Sequence, residues 1–281
     1  MEAWIDAQLE RLGLERIGEP EERRYSPWSR VLRVPTSEGP LWAKALASGL
    51  RHEIGVTQAL ASLRPELVLG PLAAEPERGF MLFPDGGETL RHAPIPGLWE
   101  QTLARYAQLQ IDTAPVADDL LRLGALDRRP SSPPGLYERL IADEPDAARL
   151  RGLGPRLEEA CARLDATLPV TIEHDDLHDG NVLQDGRIFD WGDAGVAHPF
   201  FTTVISLQEE PDGVRDAYLE PWTSFGPRAE LLAILDDALW VGKAARALTW
   251  AEILSNLDEE ARVEHWKSVE TWLLLFLADA G

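Results

Sequence analysis

Cysteine is almost absent. Cys161 is the only one, so the chain can form neither an intramolecular disulfide nor a thiolate zinc cluster. That fits a reducing compartment, and a cytoplasmic location is expected. Lysine is nearly as scarce: Lys44, Lys243 and Lys267 stand beside 24 arginines. Long apolar runs are missing. The longest, Trp272 to Ala278, has seven residues, whereas a helix crossing a bilayer needs about 20. The opening stretch MEAWIDAQLERLGLER carries acids and no apolar h-region, so it does not read as a secretory signal. Trp4, Ile5, Leu9 and Leu12 in it predict an amphipathic helix instead. Positive charge is also short. A net charge of −21 argues against nucleic acid, whose binding rests largely on basic groups against phosphate, and against an anionic membrane surface.

What is present is an ordinary globular composition over 281 residues, enough for one large domain or two lobes. The charge is unevenly spread. Residues 1–83 hold 10 basic and 12 acidic side chains, and the remainder hold 17 and 36. A near-neutral front suits a nucleotide, and an acidic back suits a cationic small molecule; acidity serves solubility as well. Strand-like runs cover Trp28 to Val34 and Leu41 to Leu46, joined by the turn-rich PTSEGP, and a helix is expected from Glu53 to Leu63, stopped by Pro65. Residues 67–83 read as extended. Pro84-Asp85-Gly86-Gly87 is the expected link between lobes. Behind it, residues 97–111, 153–167, 196–208, 227–254 and 258–279 have helical periodicity, and 127–136 read as a loop. The expected fold is α+β and bilobal, with a β-rich lobe over 1–83, a hinge at 84–87 and a helical lobe over 88–281.

Inside the helical part lies one strand-like island, TIEHDDLHDGNVLQDGRIFDWGDAGVAHPF, in which Asp185-Gly186 predicts a hairpin. It gathers His174, Asp175, Asp176, His178, Asp179, Asn181, Asp190 and Asp193 between apolar strands. So dense a polar set is costly unless it binds something. Phosphoryl transfer asks for a carboxylate that orients the attacking hydroxyl and accepts its proton, and for oxygen ligands that hold Mg²⁺ against phosphates. Asp176 and Asn181 have the D-x-x-x-x-N spacing of a kinase catalytic loop, and Asp190 can return beside them. Asp176 then serves as base, with Asn181 and Asp190 on metal. His174 is expected to brace the loop. His178 and Asp193 are bracing or substrate candidates, with helix capping an alternative for Asp193. Glu209, Glu210, Asp236 and Asp237 read mostly as solvated helix faces.

The pattern His174-x-Asp176-Leu177-His178-x-x-Asn181, followed by Asp190-Trp191, resembles the signature of the aminoglycoside phosphotransferase family, which has choline, homoserine, fructosamine and other sugar kinases among its relatives. The resemblance implies a protein-kinase-like fold and an ATP- and Mg²⁺-dependent transfer to a hydroxyl of a small molecule, with Asp176 as base and Asn181 and Asp190 as metal ligands. It assigns Lys44, alone in the apolar strand Leu41–Ala45, and Glu53 to the pair that holds the α- and β-phosphates. It places an adenine edge against the backbone near Leu82, Phe83 and Asp85. In three places the chain departs from the family. Asp175 stands where the family usually has glycine. Ser26-Pro27-Trp28-Ser29 replaces a glycine-rich phosphate loop, leaving the hydroxyl or amide of a residue such as Ser29 to do that work. The nine-residue separation of Lys44 and Glu53 requires a helix that starts almost at once.

Two other readings stay open on the residues alone. One is a kinase-like protein that binds without turnover, against which the full set of expected groups counts. The other is a metal-dependent phosphohydrolase using His174-Asp175 as an HD pair. Such a site needs more ligands than His52, His92, His198 and His265 readily supply.

Overall fold

The computed structural model describes residues 1–208 and 212–279. Helix α1 (Glu2–Leu12) turns its buried Trp4, Ile5 and Leu9 inward and ends at Gly13, whose φ of 70° is the left-handed cap that glycine takes without a Cβ penalty. Strands β1 (Glu21–Tyr25), β2 (Ser29–Thr36), β3 (Gly39–Leu46), β4 (Ala73–Glu75) and β5 (Phe80–Pro84) form an antiparallel sheet in the order β1-β2-β3-β5-β4. Alternation divides its residues between two faces. Leu32, Val34, Leu41, Ala43 and Leu82 pack under α1. On the other face, Leu46 and Met81 meet Leu50 and Ile54, the latter from α2 (His52–Leu63).

The rest of the chain is mostly helical: α3 (Leu98–Thr113), α4 (Ala117–Arg122), α5 (Pro133–Leu140), α6 (Ala147–Gly152), α7 (Gly154–Asp165), α8 (Thr203–Ser206), α9 (Asp212–Leu219), α10 (Arg228–Ser255), α11 (Glu259–His265) and α12 (Lys267–Ala278). The 28-residue α10 runs through this core and stacks Trp240 on Phe276 of α12, ring centroids 4.6 Å apart. Its far end reaches the sheet, where Ile253 joins Leu46, Ile54 and Met81. The bilobal α+β architecture is therefore as expected. No helix among the described residues is long and apolar enough to cross a membrane.

A second, small sheet positions the acidic island. Strand β7 (Thr171–Glu173) pairs antiparallel with β8 (Gly195–Ala197), which pairs in parallel with β6 (Leu126–Arg128). Glu173 faces Gly195 across the ladder, so residues 174–194 leave and return at one point.

Several local expectations need correction. Residues 196–208 are not one helix, because the β7–β8 ladder takes 195–197 and Pro199 holds His198 extended before the chain can turn. The expected loop at 127–136 holds the end of β6 and the start of α5, whose Pro133 sits where a missing N–H costs nothing. The Asp185-Gly186 hairpin does form, but it is short: Leu183 N–H donates to Arg187 (2.9 Å), Phe189 N–H to Asn181 (3.1 Å), and Val182 bridges Ile188. Ile188 also bonds into the segment before β4, its N–H donating to Leu67 (2.7 Å) and its carbonyl accepting from Leu69 (3.0 Å). The expected helix over 258–279 breaks at Trp266, whose indole N–H donates to Glu144. Glu209 and Glu210 lie outside the described residues, and Asp237 pairs with Arg163 on the surface.

Candidate active site

Lys44 lies on the sheet face away from α1 and opposite Met81. Its Nζ is 2.7 Å from both carboxylate oxygens of Glu53 and 2.6 Å from Oδ1 of Asp190. The short connection after β3 is what permits this: one 3₁₀ turn over Ser48–Leu50 leads directly into α2, and Glu53 sits in its first turn. Burial disfavours the ammonium, but Asp190 and Glu53 together hold its pKa above the ordinary lysine value. Burial raises Glu53 to about 7 against the pull of Lys44. It would raise Asp190 too, but Lys44 holds that carboxyl at about 2. Two further links fix α2 to the Asp190 segment. Nε2 of His52 lies 3.0 Å from the carbonyl of Gly192, and a Cβ at Gly192 would stand 3.1 Å from Glu53.

The acidic island is held from within. The His174 N–H donates to the Tyr106 hydroxyl (2.9 Å), and its Nε2 meets the Phe189 carbonyl at 3.0 Å. Burial lowers His174 to about 4, so the ring is neutral and Nε2 carries the proton it gives to that carbonyl. The ring lies on Trp191, with centroids 4.6 Å apart. Asn181 accepts at its carbonyl from Phe189 N–H (3.1 Å) and donates from Nδ2 to the Asp176 carbonyl (3.0 Å). These bonds set Asn181 next to the residue that precedes Asp190, and close to Asp176. His178 accepts at Nδ1 from Gly180 N–H, which leaves Nε2 facing Oδ2 of Asp176 at 3.6 Å.

Asp176 has two unlike oxygens. Oδ1 accepts from Nη2 of Arg246 at 2.9 Å. Oδ2 has only the long approaches of His178 (3.6 Å) and Asn181 (3.5 Å), and the side chain remains 34% exposed. Burial lifts the Asp176 carboxyl to about 7; Arg246 opposes the rise, and Asp193, Asp190 and Asp175 add to it.

Arg246 is the residue that sequence reasoning misses. It comes from α10, is 4% exposed, and its Nη1 also donates to Asp175 (3.0 Å) and Asp193 (2.7 Å). Asp193 is thus neither a helix cap nor a free substrate ligand. The signal of Arg246 in the sequence is faint: one arginine in the short apolar stretch Ala244–Leu248 of α10. Asp175 has a φ of 61° and Asp190 a φ of 66°, the only two non-glycine residues at positive φ among those described. The left-handed region costs such residues about 1–2 kcal/mol.

The remaining candidates are scattered. Phe83 shares the Lys44 face through its partner Trp42, whereas Leu82 faces α1 and gives its carbonyl to Leu72. The Asp85 carboxylate is taken by the Trp42 indole N–H (3.0 Å) and Gly87 N–H (3.2 Å). Ser29 is buried, and its hydroxyl lies 3.3 Å from that of Ser26 across the β1–β2 turn. Arg24, from β1, approaches Asp190 at 3.9 Å.

Asn181 and Asp190 offer hard oxygen donors of the kind Mg²⁺ takes. Among the described residues no group of three or more His, Cys, Asp or Glu side chains could hold a metal alone. The HD pair of a phosphohydrolase does not form: His174 turns to Phe189 and Asp175 to Arg246.

The sequence model of the Phosphotransferase enzyme family matches residues 22–232. Solved structures share the fold. Macrolide 2'-phosphotransferase type I is 18% identical with a TM-score of 0.58, over 95% of this chain and 96% of that one. Spectinomycin phosphotransferase APH(9)-Ia, solved with ADP and spectinomycin, is 13% identical with a TM-score of 0.60, over 95% and 93%. Choline kinase LicA from Streptococcus pneumoniae is 15% identical with a TM-score of 0.60, over 98% and 99%. A comparison with curated proteins gives no match.

Proposed function

Because the chain belongs to the phosphotransferase enzyme family, we propose that it moves the γ-phosphate of MgATP to a hydroxyl of a small molecule. The observation that carries this reading is the position of Lys44 Nζ, 2.7 Å from Glu53 and 2.6 Å from Asp190. It ties the sheet to the loop that also bears Asp176 and Asn181. Residues 1–83 act as the nucleotide lobe, 84–87 as the hinge and 88–281 as the acceptor lobe.

In this reading Lys44, held by Glu53, engages the α- and β-phosphates. Asn181 and Asp190 would hold Mg²⁺, which would supply charge neutralisation at the phosphates. Oδ2 of Asp176 orients the acceptor hydroxyl and takes its proton as the new O–P bond forms and the bond to the β-phosphate oxygen breaks, leaving ADP. Arg246 occupies the other oxygen, so a single lone-pair face is presented. Backbone groups near Phe83 receive the adenine edge. Ser29, enclosed in its turn, can act on phosphate only through the shape it gives that turn.

The acceptor is an amino sugar, an aminoglycoside or a related cationic metabolite. The acidity of residues 84–281 supports this class, as do relatives named for spectinomycin and choline. The test is an ADP-release screen of purified protein against aminoglycosides, macrolides, amino sugars, choline, homoserine and fructosamines. Mg²⁺-dependent ADP formation that requires one of these alcohols is expected. Nucleotide binding with no acceptor-dependent turnover across the panel would favour a binding protein instead.

A further inference from the structure

Asp175 sits at a backbone angle, φ 61°, that glycine adopts freely and most other residues avoid. Its side chain is buried against Arg246. One oxygen lies 3.0 Å from Nη1 of Arg246, and the backbone N–H of Asp175 donates to the Glu173 carboxylate at 2.7 Å. Burial pushes its carboxyl upward against the pull of Arg246, and Arg246 is the cation that holds it.

The guanidinium is planar, and its fork fixes the geometry of whatever it binds. Nη1 is set by Asp175 and Asp193, and Nη2 is thereby aimed at Oδ1 of Asp176. Asp193 lies just beyond Asp190, so the same side chain joins the two arms of the loop. Oδ2 of Asp176 is left as the oxygen without a short hydrogen bond.

We infer that Asp175 and Arg246 form one positioning unit for Asp176: the acid is kept at a glycine-like position because its carboxylate orients the arginine, and the arginine decides which oxygen of Asp176 meets the acceptor. This rests on the reading of Asp176 as the proton acceptor. It makes an unusual demand. Replacing Asp175 by glycine relieves the backbone yet damages transfer, the reverse of what a merely conformational role requires.

The test compares Asp175→Gly, Asp175→Asn and Arg246→Lys in the full chain. Four quantities are measured: melting temperature, MgATP affinity by calorimetry, kcat and KM with an acceptor from the screen, and amide hydrogen exchange over residues 174–178. Asp175→Gly is expected to melt close to wild type and bind MgATP within about threefold. Its kcat falls about 10- to 100-fold, the scale of a roughly 1 Å misplacement, with faster exchange in the loop. Asp175→Asn, which tolerates the same backbone, falls less, and Arg246→Lys resembles Asp175→Gly because a point charge cannot span three carboxylates. Wild-type kcat in Asp175→Gly overturns the inference, as does a loss confined to MgATP affinity. If Arg246→Lys does not fold, the two Asp175 variants decide. If the wild type turns over no acceptor, the proposed function fails separately, and loop exchange decides the pair: quickened in Asp175→Gly supports it, unchanged overturns it.

Discussion

Trp28 and Trp250 meet edge to face, their ring centroids 5.7 Å apart and their planes at 82°. The first is at the tip of the β1–β2 turn and the second is on α10, so the contact joins the sheet lobe to the helical lobe. His265 adds a second edge-on contact to Trp28 at 5.1 Å. The turn has no glycines to wrap phosphate. Its serines hydrogen-bond each other, and an aromatic clasp holds it in place.

Trp28→Ala should therefore loosen the turn without unfolding either lobe. An aromatic pair contributes about 0.5–1.5 kcal/mol beyond its buried area, which for a chain of this size lowers the melting temperature by about 2–4 °C. On the proposed reading the turn lies over the phosphates, so ATP affinity should weaken several-fold once it loses its anchor. Differential scanning calorimetry and ATP titration measure the two effects; no change in either would show that the clasp is idle.

Lys44→Met should give a stability defect that grows with pH. Glu53 already stands at about 7 instead of the ordinary 4.5, through burial that Lys44 partly offsets. Without the lysine it rises further, so the folded state keeps a proton that the unfolded state has released. Wherever the folded state binds more protons, stability falls as pH rises. Asp190 has the opposite sign. Held at about 2, it stabilises the wild type above the ordinary aspartate range, and that contribution is lost only as pH falls through about 2. The variant lacks it from pH 5 upward. Chemical denaturation should show a gap from wild type that is already present at pH 5 and widens through pH 7–8.

Asp176→Asn should lower kcat by about 10²–10⁴-fold, the range for a general base, with fold and MgATP affinity retained. Burial and neighbouring acids lift this carboxyl to about 7. Below that pH it is protonated and cannot accept the hydroxyl proton. Wild-type kcat/KM should therefore rise with pH through about 7 and level off above it. A flat profile from pH 5.5 to 8.5 would remove Asp176 from the role.

Asp190→Ala should lose the Mg²⁺-dependent part of ATP binding and leave most of the metal-free affinity. Calorimetry with ATP, with and without Mg²⁺, reads this directly. An unchanged difference between the two titrations would exclude Asp190 as a metal ligand.

The part of the site legible in the sequence is the part that lies on one stretch of chain. Asp176, Asn181 and Asp190 fall within a single excursion between β7 and β8, so their spacing alone brings them near each other. Lys44 and Glu53 are legible because a solitary lysine in an apolar strand needs a partner and the next helix begins with an acid. Arg246 is not, for its partner Asp176 lies 70 residues away and the periodicity of α10 reads as core. Lys243, one turn earlier, reaches outward to Asp279, and nothing in the sequence distinguishes the two cations. Strands β2 and β3 follow from their strand-like runs, and α2 from its apolar stripe and Pro65, but the order of the sheet does not. The short ladder that cancels the helix at 196–208 depends on β6, whose three residues leave no pattern to detect.

The most direct measurement follows the label from γ-³²P-ATP in parallel reactions of wild type and Asp176→Asn with an acceptor from the screen. Label should move onto the organic acceptor with the wild type, only in the presence of Mg²⁺, and almost vanish with Asp176→Asn. Label found solely as inorganic phosphate, or transferred equally by both proteins, would contradict a kinase built around Asp176.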